Sequence, residues 1–465
     1  MRGSTPATRE GGFDLRDSDS FVDAFPGLRA AFDGPSMASA LGDALGVGVV
    51  ACEPREALFE PDGYCMVRCR ATLERRDEVL IGARLFRDAD AAEAFRVDAL
   101  EQPAADLDGR PHRPPVPVLA ATLPALAIAV AVFPVDGELP ALVRVTDPDE
   151  TASLLDRALP AVTGPYRVAA VQYGRRRRCA VRFEAGAPRV SAVAYGKVVN
   201  DGSGRQTRAL TDALLRAGAE FDVPPVLVDR PDLCLTVLGA IPGAPRVAQL
   251  LKARVRETET PPDSPALEEA VARCGRIAAT VHRVELPLGP SRSLDSEIAP
   301  LQDAIDVVRA YTPELAARVE PAMLSAESRS AGTEAMAEAT AHGDFSYTQI
   351  LFSGDRYGLV DYDGACRAEP GLDLGHFLAY LRFAMVKAAG VEAPRFAPLG
   401  DALEAVFLDG YRSAGGVADR AVEERVHAYE IVSLLRLAVH AWQKMKPQRL
   451  RNILAVLDAR CAVTI

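Results

Sequence analysis

The chain has 465 residues, 49% of them apolar and 25% charged, with a formal net charge of −11. That length points to two or three domains, and the balance is that of an ordinary water-soluble globular protein. The acidity disfavours nucleic acid as a partner, because such binding rests on basic patches, and is compatible with a cationic substrate.

In chain order, Met1 to Asp14 lack an apolar core segment, which argues against a secretory signal. Residues 1–30 are expected to form a disordered tail. The chain then repeats itself at an offset of about 108–114 residues. Leu41-Gly-Asp-Ala-Leu45 leads to Tyr64-Cys-Met-Val-Arg68, as Leu155-Asp-Arg-Ala-Leu159 leads to Arg178-Cys-Ala-Val-Arg182. Leu80 to Phe86 matches Val193 to Val199, and each is followed by an Asp (Asp88, Asp201) and a helical stretch. Pro117-Val-Leu119 matches Pro225-Val-Leu227, and Leu126 to Phe133 matches Leu233 to Ala240. Each copy reads helix, strands, helix, two strands. Alternation of Cys179, Val181 and Phe183 with Ala180 and Arg182 supports the strand assignment. The apolar run Val118 to Phe133 is too short for a bilayer and contains Pro124, so it reads as two buried strands, and no membrane association is expected.

After Gly243 the pattern turns helical. Helices are expected over Leu267–His282, Leu301–Met323, Leu374–Ala388, Leu403–Ser413, Ala421–Met445 and Arg449–Cys461. The eight cysteines (Cys52, Cys65, Cys69, Cys179, Cys234, Cys274, Cys366, Cys461) are scattered. Only Cys65 and Cys69 are closely spaced, and no second pair or His cluster completes a zinc site. They read as buried, reduced thiols of a cytoplasmic protein.

The chemistry concentrates in Ala341-His-Gly-Asp-Phe-Ser-Tyr-Thr-Gln-Ile-Leu-Phe352 and Gly358-Leu-Val-Asp-Tyr-Asp-Gly364. His342-Gly343-Asp344 alone could be an ordinary loop with a capping Asp. Its spacing to Gln349, Asp361 and Asp373 is that of a kinase-type site. There, one Asp orients and deprotonates an acceptor hydroxyl, while a carboxamide and a second Asp hold magnesium on ATP phosphates. The segment resembles the aminoglycoside phosphotransferase and choline kinase family, strongest over 341–381 and extending over about 150–465.

The resemblance implies an α+β, bilobal protein-kinase-like fold. Residues 31–147 would be an N-terminal cap that duplicates the N-lobe in degenerate form, 148–244 the N-lobe, and 245–465 the helical C-lobe. It implies Asp344 as base, Gln349 and Asp361 as magnesium ligands, and Lys197 on the ATP phosphates. His342 and Asp373 would support the loop. Gln349 departs from the family's Asn. It carries the same oxygen one methylene further out, and with the duplicated first half it shifts the resemblance towards the capped maltokinase-like sugar kinases. The phosphate-covering loop is also atypical: Gln172-Tyr-Gly-Arg-Arg-Arg-Arg-Cys179 has one Gly, and its arginines, Arg178 among them, could contact phosphate or form a solvated turn. No Glu follows in the next helix to pair with Lys197, and Asp212 is the best substitute. Leu235 to Gly243 resembles the interlobe hinge, with Leu238 and Ala240 facing the adenine edge. Asp363 and Glu369 are candidate acceptor contacts, Asp363 being equally readable as a turn residue. His376 has no assigned role.

The expected function is ATP- and magnesium-dependent phosphorylation of a hydroxyl on a small molecule such as a sugar, amino sugar or aminoglycoside-like compound. The alternatives are a kinase of Ser/Thr in a peptide, and a catalytically impaired nucleotide-binding module.

Overall fold

The computed structural model describes residues 13–60, 64–159, 166–175, 177–185, 194–200, 202–286 and 291–462. Val193, Arg176 and Asp201, which entered the repeat and the arginine loop above, lie outside the described residues.

Two five-stranded antiparallel sheets build the first half. The first contains β1 (Val49–Glu60), β2 (Tyr64–Leu73), β3 (Glu78–Leu85), β4 (Ala120–Leu123) and β5 (Ile128–Val132), in the order β1-β2-β3-β5-β4. The second contains β6 (Tyr166–Arg175), β7 (Arg178–Ala185), β8 (Ala194–Val199), β9 (Val226–Arg230) and β10 (Leu235–Gly239), in the order β6-β7-β8-β10-β9. Strict alternation buries every second residue of β3 and β7, as a sheet with one covered face requires. The duplication extends to single residues. Arg84 lies opposite Met66 and Ala129, and Lys197 opposite Ala180 and Thr236, so the two cations hold equivalent positions. Each copy also joins its last two strands through a Pro-led 3₁₀ turn that ends in a left-handed residue, Ala127 in one and Cys234 in the other.

The equivalent cations have different fates. Arg84 is enclosed between the rings of Tyr64 and Phe95, 3.8 and 4.3 Å from its guanidinium carbon, and pairs with Glu138 at 3.3 Å. Its guanidinium is thereby committed within the first unit. Lys197 instead faces the helical half.

That half contains helices Val247–Arg256, Leu267–Arg283, Leu294–Tyr311, Pro313–Gly332, Gly371–Ala389, Ala397–Ser413, Arg420–Gln443 and Pro447–Ala462. The single helix expected over 301–323 is two, interrupted at Thr312 before Pro313, because the residue before a proline is driven out of helical geometry. Helices 267–283 and 397–413 touch backbone to backbone. A Cβ on Gly410 would stand 2.3 Å from the Ala272 carbonyl oxygen, so only glycine permits that approach.

The tail expectation is corrected. Residues 15–32 form short helices that bury Leu15, Phe21, Phe25 and Leu28, while Met1 to Gly12 lie outside the described residues. Phe21 packs against Phe59 of β1 and against Tyr311, with ring centroids 4.9 and 5.3 Å apart, and Phe59 lies 5.9 Å from Trp442. Burying an aromatic side chain of this kind contributes about 1.5–3 kcal/mol, enough to hold a segment whose polar residues suggest disorder. One continuous apolar core therefore joins the first sheet to helices 294–311, 313–332, 420–443 and 447–462. The first unit shares its core with these helices, and it also packs on the second sheet, where Tyr173 lies 5.1 Å from Phe133 and under the Arg68 guanidinium at 3.2 Å.

Candidate active site

The acidic segment sits between two small β elements. Ala339–Ala341 pairs with Cys366–Ala368, and Ile350–Ser353 pairs with Arg356–Leu359. The loop 342–349 leaves the first strand and enters the hairpin, so Asp344 and Gln349 project to the same side as Asp361 just beyond it. Gly343 adopts φ +79°, and a Cβ there would lie 2.0 Å from the Gly364 carbonyl oxygen. The two halves of the motif can meet only through this glycine. Asp361 is itself left-handed, at φ 73° and ψ 59°, a conformation that costs a non-glycine residue about 1–2 kcal/mol and that clusters at functional sites.

Asp373, at the start of helix 371–389, is fully buried. Its carboxylate accepts hydrogen bonds from the backbone N–H of His342 at 2.7 Å and of Gly343 at 2.9 Å, and from His282 Nε2 at 3.2 Å. Burial opposes its charge, but the bond from His282 and the nearby His342 hold it below the ordinary carboxylate range. His342 Nε2 donates to the Val360 carbonyl at 3.1 Å, tying the loop to the residue before Asp361. Both residues expected to support the loop are thus bonded to it.

Lys197 reaches from β8 to the acidic segment. Its ammonium donates to Asp361 Oδ1 and, at 2.9 Å, to Asp363 Oδ1. Burial disfavours its charge, yet the two carboxylates raise its pKa on balance. Burial would likewise raise Asp361, and Lys197 more than offsets it. Asp363 also accepts from Thr207 Oγ1 at 2.8 Å and lies 4.0 Å from Arg178 Nη1. Gln349 Nε2 faces Asp361 Oδ2 at 3.3 Å and Asp344 Oδ2 at 3.5 Å. Asp344, Asp361, Asp363 and Arg178 line one cavity of about 440 Å³.

Three expectations change. Glu369 does not reach the cavity: it is buried and held bidentately by Arg425 at 2.6 and 2.7 Å, so its charge is consumed within the protein. Asp212 does not pair with Lys197; Asp361 and Asp363 do, and the helix that carries Asp212 contributes Thr207 to that cluster instead. Leu238 lies within β10 between partners Tyr195 and Val226, which commits its backbone to the sheet, whereas Ala240 is exposed just past the strand end.

Sequence reasoning missed His376, whose Nε2 donates to Asp344 Oδ1 at 3.0 Å. Its position three residues after Asp373 on one helix was the available clue, since residues so spaced share a face. It also missed His282 and Arg292, the latter donating to the Gly343 carbonyl at 3.2 Å. Neither carries a local motif. Among the described residues no cluster of three or more His, Cys, Asp or Glu side chains is arranged to hold a metal, and no helix is long and apolar enough to cross a membrane.

Residues 196–417 match the model of the phosphotransferase enzyme family, APH. No curated protein matches the chain. Among solved structures it is similar to a choline/ethanolamine kinase family protein from Mesorhizobium loti, at 18% identity over 68% of this chain and 97% of that one, with a TM-score of 0.41. It is also similar to the aminoglycoside phosphotransferase APH(3'')-Id from Streptomyces rimosus, in complex with ADP and streptomycin, at 16% identity over 62% and 98% of the two chains, TM-score 0.38. Lys197, the acidic loop and its bracing Asp373 all fall inside the matched stretch, and over residues 196–417 this chain is similar to the phosphotransferase enzyme family.

Proposed function

We propose that the protein transfers the γ-phosphoryl group of ATP, with magnesium, to a hydroxyl of a small molecule. The observation that carries this reading is the convergence of Lys197 from one lobe with Asp361 and Asp363 from the other, beside Asp344 in one cavity.

Asp344 is the proposed base. His376 engages its Oδ1 and orients the carboxyl, so that Oδ2 is the oxygen to accept the hydroxyl proton as the phosphoryl group arrives in line. Asp373 fixes the loop through the His342 and Gly343 amides and has a positioning role. The donor set fits magnesium, which is usually held by one or two carboxylates together with substrate phosphates and water. Asp361 and Asp363 would supply the protein share, joined by Gln349 once its amide turns, since its oxygen here accepts from Thr348 Oγ1 at 3.0 Å while its nitrogen faces the two acids. Magnesium so bound would neutralise charge on the phosphate oxygens. Lys197, which neutralises both aspartates here, is the group to turn towards phosphate, with Arg178 beside it. The Ala240 backbone is the proposed contact to the base edge, a reading supported by its exposure just after β10. Residues 31–147, 148–244 and 245–465 are the proposed cap, N-lobe and C-lobe. The commitment of Arg84 to Tyr64, Phe95 and Glu138 supports a cap that binds no nucleotide.

Calorimetry with ATP and magnesium tests the reading. Binding is expected, and its absence would overturn it. Asp344→Asn should retain nucleotide affinity and lose phosphoryl transfer in an ADP-release assay; turnover near the wild-type rate would refute the base assignment.

A further inference from the structure

Helix 420–443 lies beyond the matched residues 196–417, and it meets helix 371–389 at backbone range. A Cβ on Gly371 would stand 2.6 Å from Tyr429 Cδ2, and one on Gly375 would stand 2.6 Å from the Glu430 backbone nitrogen. Glycine at both positions, on one face of the helix, is what lets the two helices close. His376, the neighbour of Gly375, is carried into this seam, and the next turn of helix 420–443 brings Ser433 to it. Ser433 is fully buried, and His376 is buried. Ser433 Oγ lies 3.3 Å from His376 Nδ1, and on the other side of the ring Nε2 lies 3.0 Å from Asp344 Oδ1. The ring also packs on Tyr380, with centroids 4.9 Å apart.

The direction of these hydrogen bonds follows from their ends. An ionised carboxylate only accepts, so the nitrogen that faces Asp344 carries the proton. In a neutral imidazole the other nitrogen is then a bare acceptor. A hydroxyl buried without a partner is costly, and donation from Ser433 to Nδ1 satisfies both groups. A half-turn of the ring about its bond to Cβ would put carbons where the two nitrogens stand and break both bonds together. A partner at Nδ1 therefore fixes the orientation in which Nε2 meets Asp344. The same order recurs nearby: Tyr411 Oη stands 2.9 Å from His282 Nδ1, and His282 Nε2 stands 3.2 Å from Asp373 Oδ2. Each of the two acids thus has a histidine behind it and a hydroxyl behind the histidine.

We propose that Ser433 is a positioning residue for phosphoryl transfer: by holding His376 Nδ1 it fixes the ring whose Nε2–H orients Asp344. The inference rests on the reading of Asp344 as the base. Hydroxyl, imidazole and carboxylate stand in the order used by serine hydrolases, with the roles reversed. There the hydroxyl reacts and the carboxylate orients. Here the carboxylate faces the cavity and the hydroxyl is sealed inside the protein. A helix outside the matched stretch thereby sets the geometry of the proposed base, where a displacement of about 1 Å costs a rate of the order of a hundredfold.

Substitutions at 376 divide the chain of bonds in two. His376→Gln keeps an N–H near the place of Nε2 and loses the atom that faces Ser433, while His376→Asn keeps a polar group near Nδ1 and falls short of Asp344. ADP release from ATP and magnesium, with water as the acceptor, is measured for both, for Ser433→Ala and for the two double variants. Ser433→Ala should lower kcat about tenfold, with the KM for ATP within about twofold of wild type. Added to either substitution at 376, it should change kcat by less than about twofold, because no path from Ser433 to Asp344 remains. Long-range ¹H–¹⁵N correlation of histidine-labelled protein reads the ring without catalysis, the His376 signals being those lost in His376→Gln. At about pH 8, above the ordinary histidine range, wild type should carry its proton on Nε2 and leave Nδ1 bare. A proton on Nδ1 in wild type, unchanged kcat in Ser433→Ala, a loss that persists in full on the Gln and Asn backgrounds, or a raised KM at unchanged kcat would each overturn the proposal. Thermal unfolding curves separate lost position from lost fold. Failure of wild type to bind ATP while its spectrum shows the Nε2–H ring would instead strike the phosphotransferase reading.

Discussion

Replacing Asp373 by Asn is the sharpest perturbation of the acidic loop, because it changes charge and hydrogen-bond polarity with almost no change in shape. The carboxylate is fully buried and accepts three hydrogen bonds, two from consecutive backbone amides. Hydrogen bonds to a charged group contribute about 1.5–3 kcal/mol each. Asparagine keeps one acceptor oxygen and turns an NH₂ towards a donor, leaving one buried backbone N–H unpaired at a cost of about 1–3 kcal/mol. With the charged partner of His282 also removed, the expected loss is about 3–5 kcal/mol, the range for breaking a buried charged network. Urea unfolding at pH 7, followed through Trp442, measures it as a lower midpoint at unchanged slope. The loop that carries Asp344 loosens at the same time, and a displacement of about 1 Å costs a rate of the order of a hundredfold, read by ADP release. The folded-state pKa of Asp373 is depressed, so its contribution is complete above the ordinary carboxylate range, near pH 4, and is lost as pH falls through the lower folded value. The variant should accordingly show a shallower acid limb in stability. A midpoint within about 0.5 kcal/mol of wild type, with unchanged turnover, would refute the bracing argument.

Lys197→Met should leave the fold intact and weaken ATP binding at least tenfold by calorimetry, since Asp361 and Asp363 then face each other without their shared cation. Gly343→Ala combines a positive φ with a clash against the Gly364 carbonyl; turnover should fall about a hundredfold while far-ultraviolet dichroism stays unchanged. Glu369→Gln breaks the buried pair with Arg425 and should cost about 3–5 kcal/mol of stability without altering the acceptor KM; a raised KM at full stability would return Glu369 to the acceptor site.

The parts of the site that could be read from the chain are those formed within it locally. Asp344, Gln349 and Asp361 lie in one loop and one hairpin, and the residues between them leave little freedom over where they meet. The repeat was legible for a similar reason: equivalent strands need equivalent alternation, and Arg84 and Lys197 keep the same register. Glu369 misled because it stands beside the motif. Its partner Arg425 lies 56 residues further on, and nothing local announces that the carboxylate is already neutralised. The tail misled for the complementary reason. Phe21 and Phe25 are sparse among polar residues, yet Phe59 and Tyr311 wait for them.

The sequence by itself determined the acidic loop, the α+β class and the duplicated first half, because spacing and periodicity are properties of neighbouring residues. Tertiary structure alone decided that His376 engages the proposed base, that His282 backs Asp373, and that Ser433 backs His376. Those contacts join elements well separated along the chain, and which charges are consumed and which left to face a ligand is settled only when distant side chains pack together.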